Sequence, residues 1–123
     1  MKQLRKVYNK YIPCKGYDAI TILKWMFIRE EFKGILPWWT ENHENIHYAQ
    51  ERELGYIPFY LLYGIEYLIK LLITFNHSRA YFSISTEQEA YNNMYEINYL
   101  NERKHYAWLK YVFKLDRKWY KLV

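Results

Sequence analysis

Cysteine is nearly absent from this chain: Cys14 is the single one among 123 residues. One thiol can close no internal disulfide and build no Cys-rich structural zinc site, so any metal site must draw on histidine and carboxylate side chains. Histidine is scarce too, at four, and there are four glycines and three prolines. Residues 17–28 and 86–113 contain neither Gly nor Pro, which leaves both stretches without the usual interrupters of regular structure. The first residues, MKQLRKVYNKYIPCKGYD, lack the apolar run and small-residue cleavage site of a secretory leader, so a cytoplasmic setting is expected. No internal repeat or low-complexity segment is visible.

What is present is basic, aromatic and unevenly charged. The net charge is +5, yet residues 1–17 carry five basic residues and no acid, residues 18–102 carry six basic and twelve acidic, and residues 103–123 carry seven basic with Asp116 alone opposing them. Both ends are basic and the middle is acidic. The aromatic segment holding Lys110, Lys114, Arg117, Lys118 and Lys121 could sit on an anionic membrane surface. It carries no recognised nucleic-acid motif, so nucleic acid is not an expected partner. The ordinary reading of such a tail is a solvated segment that keeps the protein soluble or docks on the acidic middle.

A chain of this length fits one domain with a core that buries somewhat under about 70% of its extended surface. Residues 17–28, YDAITILKWMFI, read as a strand buried on both faces, and Ile35-Leu36 as a brief second strand after a connector at 29–34. Thr40 as N-cap, Glu41 in the first turn and Gly55 with Pro58 at the end predict a helix over 40–54. Residues 58–75 predict an apolar core helix with Glu66 four residues before Lys70. Its length invites a membrane test, but two mid-span charges cost several kcal/mol in lipid unless paired or turned to protein. A connector runs through Ser85, and Thr86 with Glu89 forms a capping box that opens a long helix to about Phe113. The fold class is α+β and helix-rich: a short N-terminal sheet, then three helices.

The chemistry concentrates in the first of those helices, at His43-Glu44-Asn45-Ile46-His47. Residues four apart on a helix differ by about 40° around the axis and about 6 Å along it, so both imidazoles can converge on one cation. Glu44 is turned about 100° from His43, beside such an ion and not on it, where it can take a proton from water. The H-E-x-x-H pattern is therefore a known solution for holding Zn²⁺ and activating water. The bland alternative is an amphipathic helix with two hydrogen-bonded histidines. A catalytic zinc takes three protein ligands and one open position, so a third ligand is required. Gln50 and Glu53 stand where H-E-x-x-H-x-x-G-x-x-H would have Gly and His, and Glu53 lies about 240° round from His47. Glu51 lies on the histidine face but one turn further along, better placed beside the ligands than among them. Two carboxylates, Glu87 and Glu89, occupy the first turn of the next long helix.

At these residues the chain resembles the gluzincin class of zinc metallopeptidases, most closely its small single-domain members, with residues 1–123 as one zincin-like domain. In that class a Glu on a helix beyond the H-E-x-x-H helix completes the site, and its E-x-x-A pattern is similar to Glu87 with Ala90. The resemblance implies one Zn²⁺ per chain held by His43, His47 and Glu87, with Glu89 the alternative third ligand, and Glu44 as general base. It also implies a peptide or protein substrate, paired against the strand near residues 19–28. Many such enzymes place Asp or Asn four residues after the ligand Glu, where this chain has Tyr91. His77, Tyr81, Tyr91 and His105 are available to stabilise an oxyanion, and the sequence singles out none of them. A rival reading keeps the metal and drops the chemistry: a noncatalytic protein that binds a partner or a membrane through its aromatic helices and basic tail.

Overall fold

The computed structural model describes residues 4–115; Arg117, Lys118 and Lys121 of the basic tail lie outside the described residues. A three-stranded sheet comes first, with strands β1 (Arg5–Asn9), β2 (Ala19–Ile22) and β3 (Trp25–Arg29) in the order β1-β3-β2. β1 runs parallel to β3, with Val7 opposite Phe27, and β2 runs antiparallel to it, with Thr21 opposite Met26. Residues 17–28 are thus not one strand but a hairpin. Its two-residue link carries Leu23 at φ 55°, a conformation that no Gly or Asn in the sequence announces. Tertiary contact holds it instead: the Leu23 amide donates to the Tyr60 hydroxyl at 2.8 Å.

The face of β3 that carries Met26 and Ile28 packs with Leu4 and Tyr48 into the main apolar cluster, and Ala19, Phe32 and Leu36 pack around it. This seats the sheet on helix α1 (Trp38–Leu54). Ile35 and Leu36 form no strand. Gly34 takes φ 79°, Ile35 bonds back to Phe32 across a turn, and Pro37 precedes the helix where Thr40 was expected as cap.

Gly55, at φ 88°, is the single residue between α1 and α2 (Tyr56–Thr74), a positive-φ backbone that glycine adopts without steric cost. α2 is not the core helix expected from its composition. Only Phe59, Glu66 and Lys70 are buried along it, and its aliphatic face is open. A short helix, α3 (His77–Ser83), replaces the expected connector, with Asn76 Oδ1 accepting from the Arg79 amide at its start.

The long C-terminal helix is the largest departure. α4 covers only Ser85–Asn93, α5 only Tyr99–Glu102, and a 3₁₀ turn covers Ala107–Tyr111. The physical reason is that side chains from α1 capture the backbone. Asn42 Nδ2 donates to the Met94 and Glu96 carbonyls, Glu53 accepts from the Tyr106 amide, and Tyr106 itself is left-handed at φ 59°. Thr86 is not a cap. Its hydroxyl is buried without a hydrogen bond among the described residues, and the Glu66 carboxylate receives the Ser85 amide at 2.5 Å and hydroxyl at 2.6 Å. A buried acid from α2 therefore serves the positive end of α4.

Candidate metal centre

The middle of α1 buries polar side chains where an ordinary helix buries aliphatic ones: His43, Glu44, His47, Gln50 and Glu51 are all covered. α4 crosses against this face and brings Glu87 to the histidines. Nε2 of His43 and Nε2 of His47 are 3.1 Å apart, and Glu87 Oε1 lies 3.2 Å from the first and 3.0 Å from the second. Bonds of 2.0–2.1 Å at tetrahedral angles would separate such donors by about 3.3–3.4 Å, so the triangle fits a four-coordinate ion with little adjustment. His43, His47 and Glu87 form a group that can hold a metal ion.

Two of the three ligands are steered by a hydrogen bond with a neighbour. Gln50 Nε2 donates to the Thr86 carbonyl at 2.9 Å and to Glu89 Oε1 at 3.0 Å, which leaves its Oε1 to accept from His47 Nδ1 at 2.8 Å. That bond puts a proton on Nδ1 of His47 and turns the Nε2 lone pair toward Glu87 and His43. Tyr63 donates to the other oxygen of Glu87 at 2.6 Å. His43 has no such partner: its Nδ1 is buried without a hydrogen bond among the described residues. The Tyr91 ring lies edge-on to His43 at 4.3 Å, but its hydroxyl pairs with that of Tyr81 at 3.2 Å. Tyr91 therefore supports His43 by packing and not by a hydrogen bond.

Glu89, the alternative third ligand, is engaged elsewhere. Tyr99 and Arg103 both donate to its Oε2, at 2.7 and 2.5 Å, and Arg103 also grips Glu53 with two bonds of 2.8 and 2.9 Å. A chain of contacts thus runs Glu53, Arg103, Glu89, Gln50, His47. Of these, Gln50 stands three residues beyond His47 on the same helix face, whereas Arg103 carried no signal in the sequence.

The charges fit a cation. Burial works against a proton on His47, yet the neighbouring Glu87 carboxylate outweighs it and lifts the imidazole to about 10. Burial pushes Glu87 up, and the two histidines, His47 foremost, reverse that and hold its carboxyl well below the usual range. A metal ion seated among the three would replace that proton, the exchange expected of a site whose ligands bind deprotonated.

Glu44 sits beside the triangle. Thr21 of β2 donates to its Oε2 at 2.7 Å, and burial raises its pKa despite the two histidines. It lines two cavities at once. The larger, about 500 Å³, is mostly apolar and is bounded also by His47, Glu87, Tyr63 and strand β2; the smaller, about 280 Å³, lies against His43, Asp18 and Trp39. Tyr81 borders both, whereas Tyr91 borders the smaller. His77 bonds to Tyr67 and His105 is an exposed neighbour of Glu53; neither lines either of these two cavities. Glu51 accepts from Tyr60 at 2.5 Å and lies near enough to His47 to feel its charge; burial pushes it up to about 7. No protein-family model, curated protein or solved structure matches this chain.

Proposed function

We propose that the protein is a Zn²⁺-dependent hydrolase of the gluzincin type, acting on peptide bonds. The observation that carries this reading is the triangle of His43, His47 and Glu87 donors, 3.0–3.2 Å on its edges, two of which, His47 and Glu87, line a cavity together with Glu44. Two nitrogens and one carboxylate oxygen with an adjacent open space is the donor set of a catalytic zinc, not of a closed structural one. A bound Zn²⁺ would supply Lewis acidity and bring the pKa of water down to about 7.

The chain supplies the rest. Glu44, with Oε2 held by Thr21, is positioned to take a proton from the attacking water and return it to the leaving amine. Its raised pKa suits a group that must both accept and release that proton near neutrality. Tyr81 and Tyr63 hold their protons, since burial and then the nearby Glu87 raise both well above the ordinary phenol value. Tyr63 is committed to Glu87, whereas Tyr81 shares only a 3.2 Å hydroxyl–hydroxyl contact with Tyr91 and can turn its proton to an oxyanion. β2 is an edge strand along the larger cavity, able to pair with an extended substrate backbone.

The test separates metal from chemistry. Native protein should carry about one zinc per chain by plasma mass spectrometry, and His43→Ala with His47→Ala should carry none. Glu44→Gln should keep the metal and lose hydrolysis of a peptide library by about 10²–10⁴-fold. Protein that refuses added Zn²⁺ would overturn the reading. The unpartnered Nδ1 of His43 favours one second reading, a site that holds metal without hydrolysis; it predicts full metal content and a Glu44→Gln variant indistinguishable from wild type.

A further inference from the structure

Helix α2 is built inside out for a helix that faces water. Among the described residues it is the one helix long and apolar enough to cross a membrane, 19 residues at a mean hydropathy of 1.4. Its two acidic or basic side chains, Glu66 and Lys70, are buried and bonded to each other at 2.7 Å, and both also bind the start of α4 or the end of α3. The opposite side carries Ile57, Leu61, Ile65, Leu68 and Leu72, and Ile73 near the helix end adds a sixth exposed aliphatic side chain, every one more than half exposed. The first five recur at intervals of four, four, three and four, so they lie on one stripe of the helix. Tyr56 at its start and Phe75 just past its end are exposed aromatics, the residue type that favours the boundary between hydrocarbon and headgroups.

The size and charge of this face decide what covers it. Sixteen residues of helix run about 24 Å, and half the perimeter of a cylinder about 11 Å across makes a face on the order of 400 Å². That matches an apolar patch with a function, yet it is only about half of the ~800 Å² per partner that a stable protein interface buries. A second copy is further disfavoured by charge. The described residues carry 14 basic and 12 acidic side chains, and the buried ones among them are mostly acidic (Glu44, Glu51, Glu53, Glu66, Glu87 and Glu89 against Arg29, Lys70 and Arg103), so their exposed surface is more positive than their formal net of +2. Two such surfaces repel each other, whereas an anionic lipid surface attracts both basic ends of the chain.

We propose that the outer face of α2 lies in the interfacial layer of an anionic lipid bilayer, with the helix parallel to the membrane plane. A perpendicular helix is not compatible with its neighbours, because α1 beside it carries the exposed Arg52 and the sheet carries exposed Arg5 and Lys6. Insertion follows from the hydrophobic face, and the basic surface supplies the approach. This inference does not depend on the metal reading.

Flotation of the full chain with vesicles of phosphatidylcholine and about 30% phosphatidylserine tests it, with phosphatidylcholine vesicles as the second arm. Wild type should float with the anionic vesicles and more weakly with the neutral ones. Leu61→Lys with Leu68→Lys should lower the partition coefficient at least about tenfold although it adds two positive charges. Both sites are exposed, so unfolding midpoint and circular dichroism should stay as in wild type, and Leu72→Lys alone should act in the same direction. Lysine variants that float as well as wild type would show adsorption by charge alone and overturn the proposal. So would wild-type protein that ignores both vesicles, or a dimer that the lysine variants convert to monomer.

Discussion

Gln50 offers the sharpest probe of how this fold presents its ligands. It is fully buried and makes three hydrogen bonds, to His47 Nδ1, to the Thr86 carbonyl and to Glu89. Gln50→Met keeps the volume near that of glutamine and removes all three bonds. At about 1 kcal/mol each, with a buried carbonyl and a buried imidazole N–H left unpaired, the metal-free protein should lose about 2–4 kcal/mol. The effect on metal binding is separate. With no acceptor at Nδ1, His47 is free to carry its proton on Nε2, the atom that must bind the ion, and loss of such a support costs about 10–100-fold in affinity. That corresponds to about 1.4–2.7 kcal/mol. Competition against a chromophoric zinc chelator gives the affinity, chemical denaturation of the metal-free protein gives the stability, and ¹⁵N chemical shifts of the imidazole report the tautomer. An affinity within about twofold of wild type, alongside the expected stability loss, would reduce Gln50 to a packing residue and refute the steering argument.

Arg103 is nine-tenths buried between Glu53 and Glu89, so Arg103→Met leaves two covered carboxylates uncompensated and should cost on the order of 3–5 kcal/mol in chemical denaturation. Arg103→Lys should not restore it, because a single ammonium cannot reproduce the two-pronged bonds; a loss below about 1 kcal/mol would contradict the geometry. Glu51 is held at about 7 by burial, above its unfolded value, so the native state binds the extra proton between about pH 4.5 and 7 and stability falls as pH rises through that window. The stability difference between wild type and Glu51→Gln should therefore change by at most about 3 kcal/mol across the window; parallel curves would refute the shift. Tyr81→Phe should lower kcat by about 10²-fold or more with KM little changed and metal content intact; a change confined to KM would make Tyr81 a binding residue only.

Much of the candidate centre was legible in the chain because it depends on local geometry. His43 and His47 sit four apart, and a helix of any surroundings brings their rings together. Glu44 follows at a fixed angle. The cap and stop signals around 40–54 were close to the observed Trp38–Leu54. What failed were the stretches whose course is set by distant partners. Leu23 turns a strand into a hairpin because Tyr60 receives its amide, and residues 94–113 leave the helix because Asn42, Glu53 and Glu89 draw on their backbone or on Arg103. Neither stretch has the Gly or Pro that usually marks a break.

The sequence by itself determined that a metal site here must be made of histidine and carboxylate, that its first two donors lie on one helix turn, and that an acid beside them faces the same region. Tertiary structure alone decided which acid of α4 meets them. Glu87 and Glu89 stand about 200° apart around their helix, so the crossing of α4 on α1 can offer only one of them to the histidines. Tyr99, Arg103 and Gln50 occupy the other. It also decided that α2 turns its charges inward and its aliphatic stripe outward, since composition states how apolar a helix is and only packing states which face meets the protein.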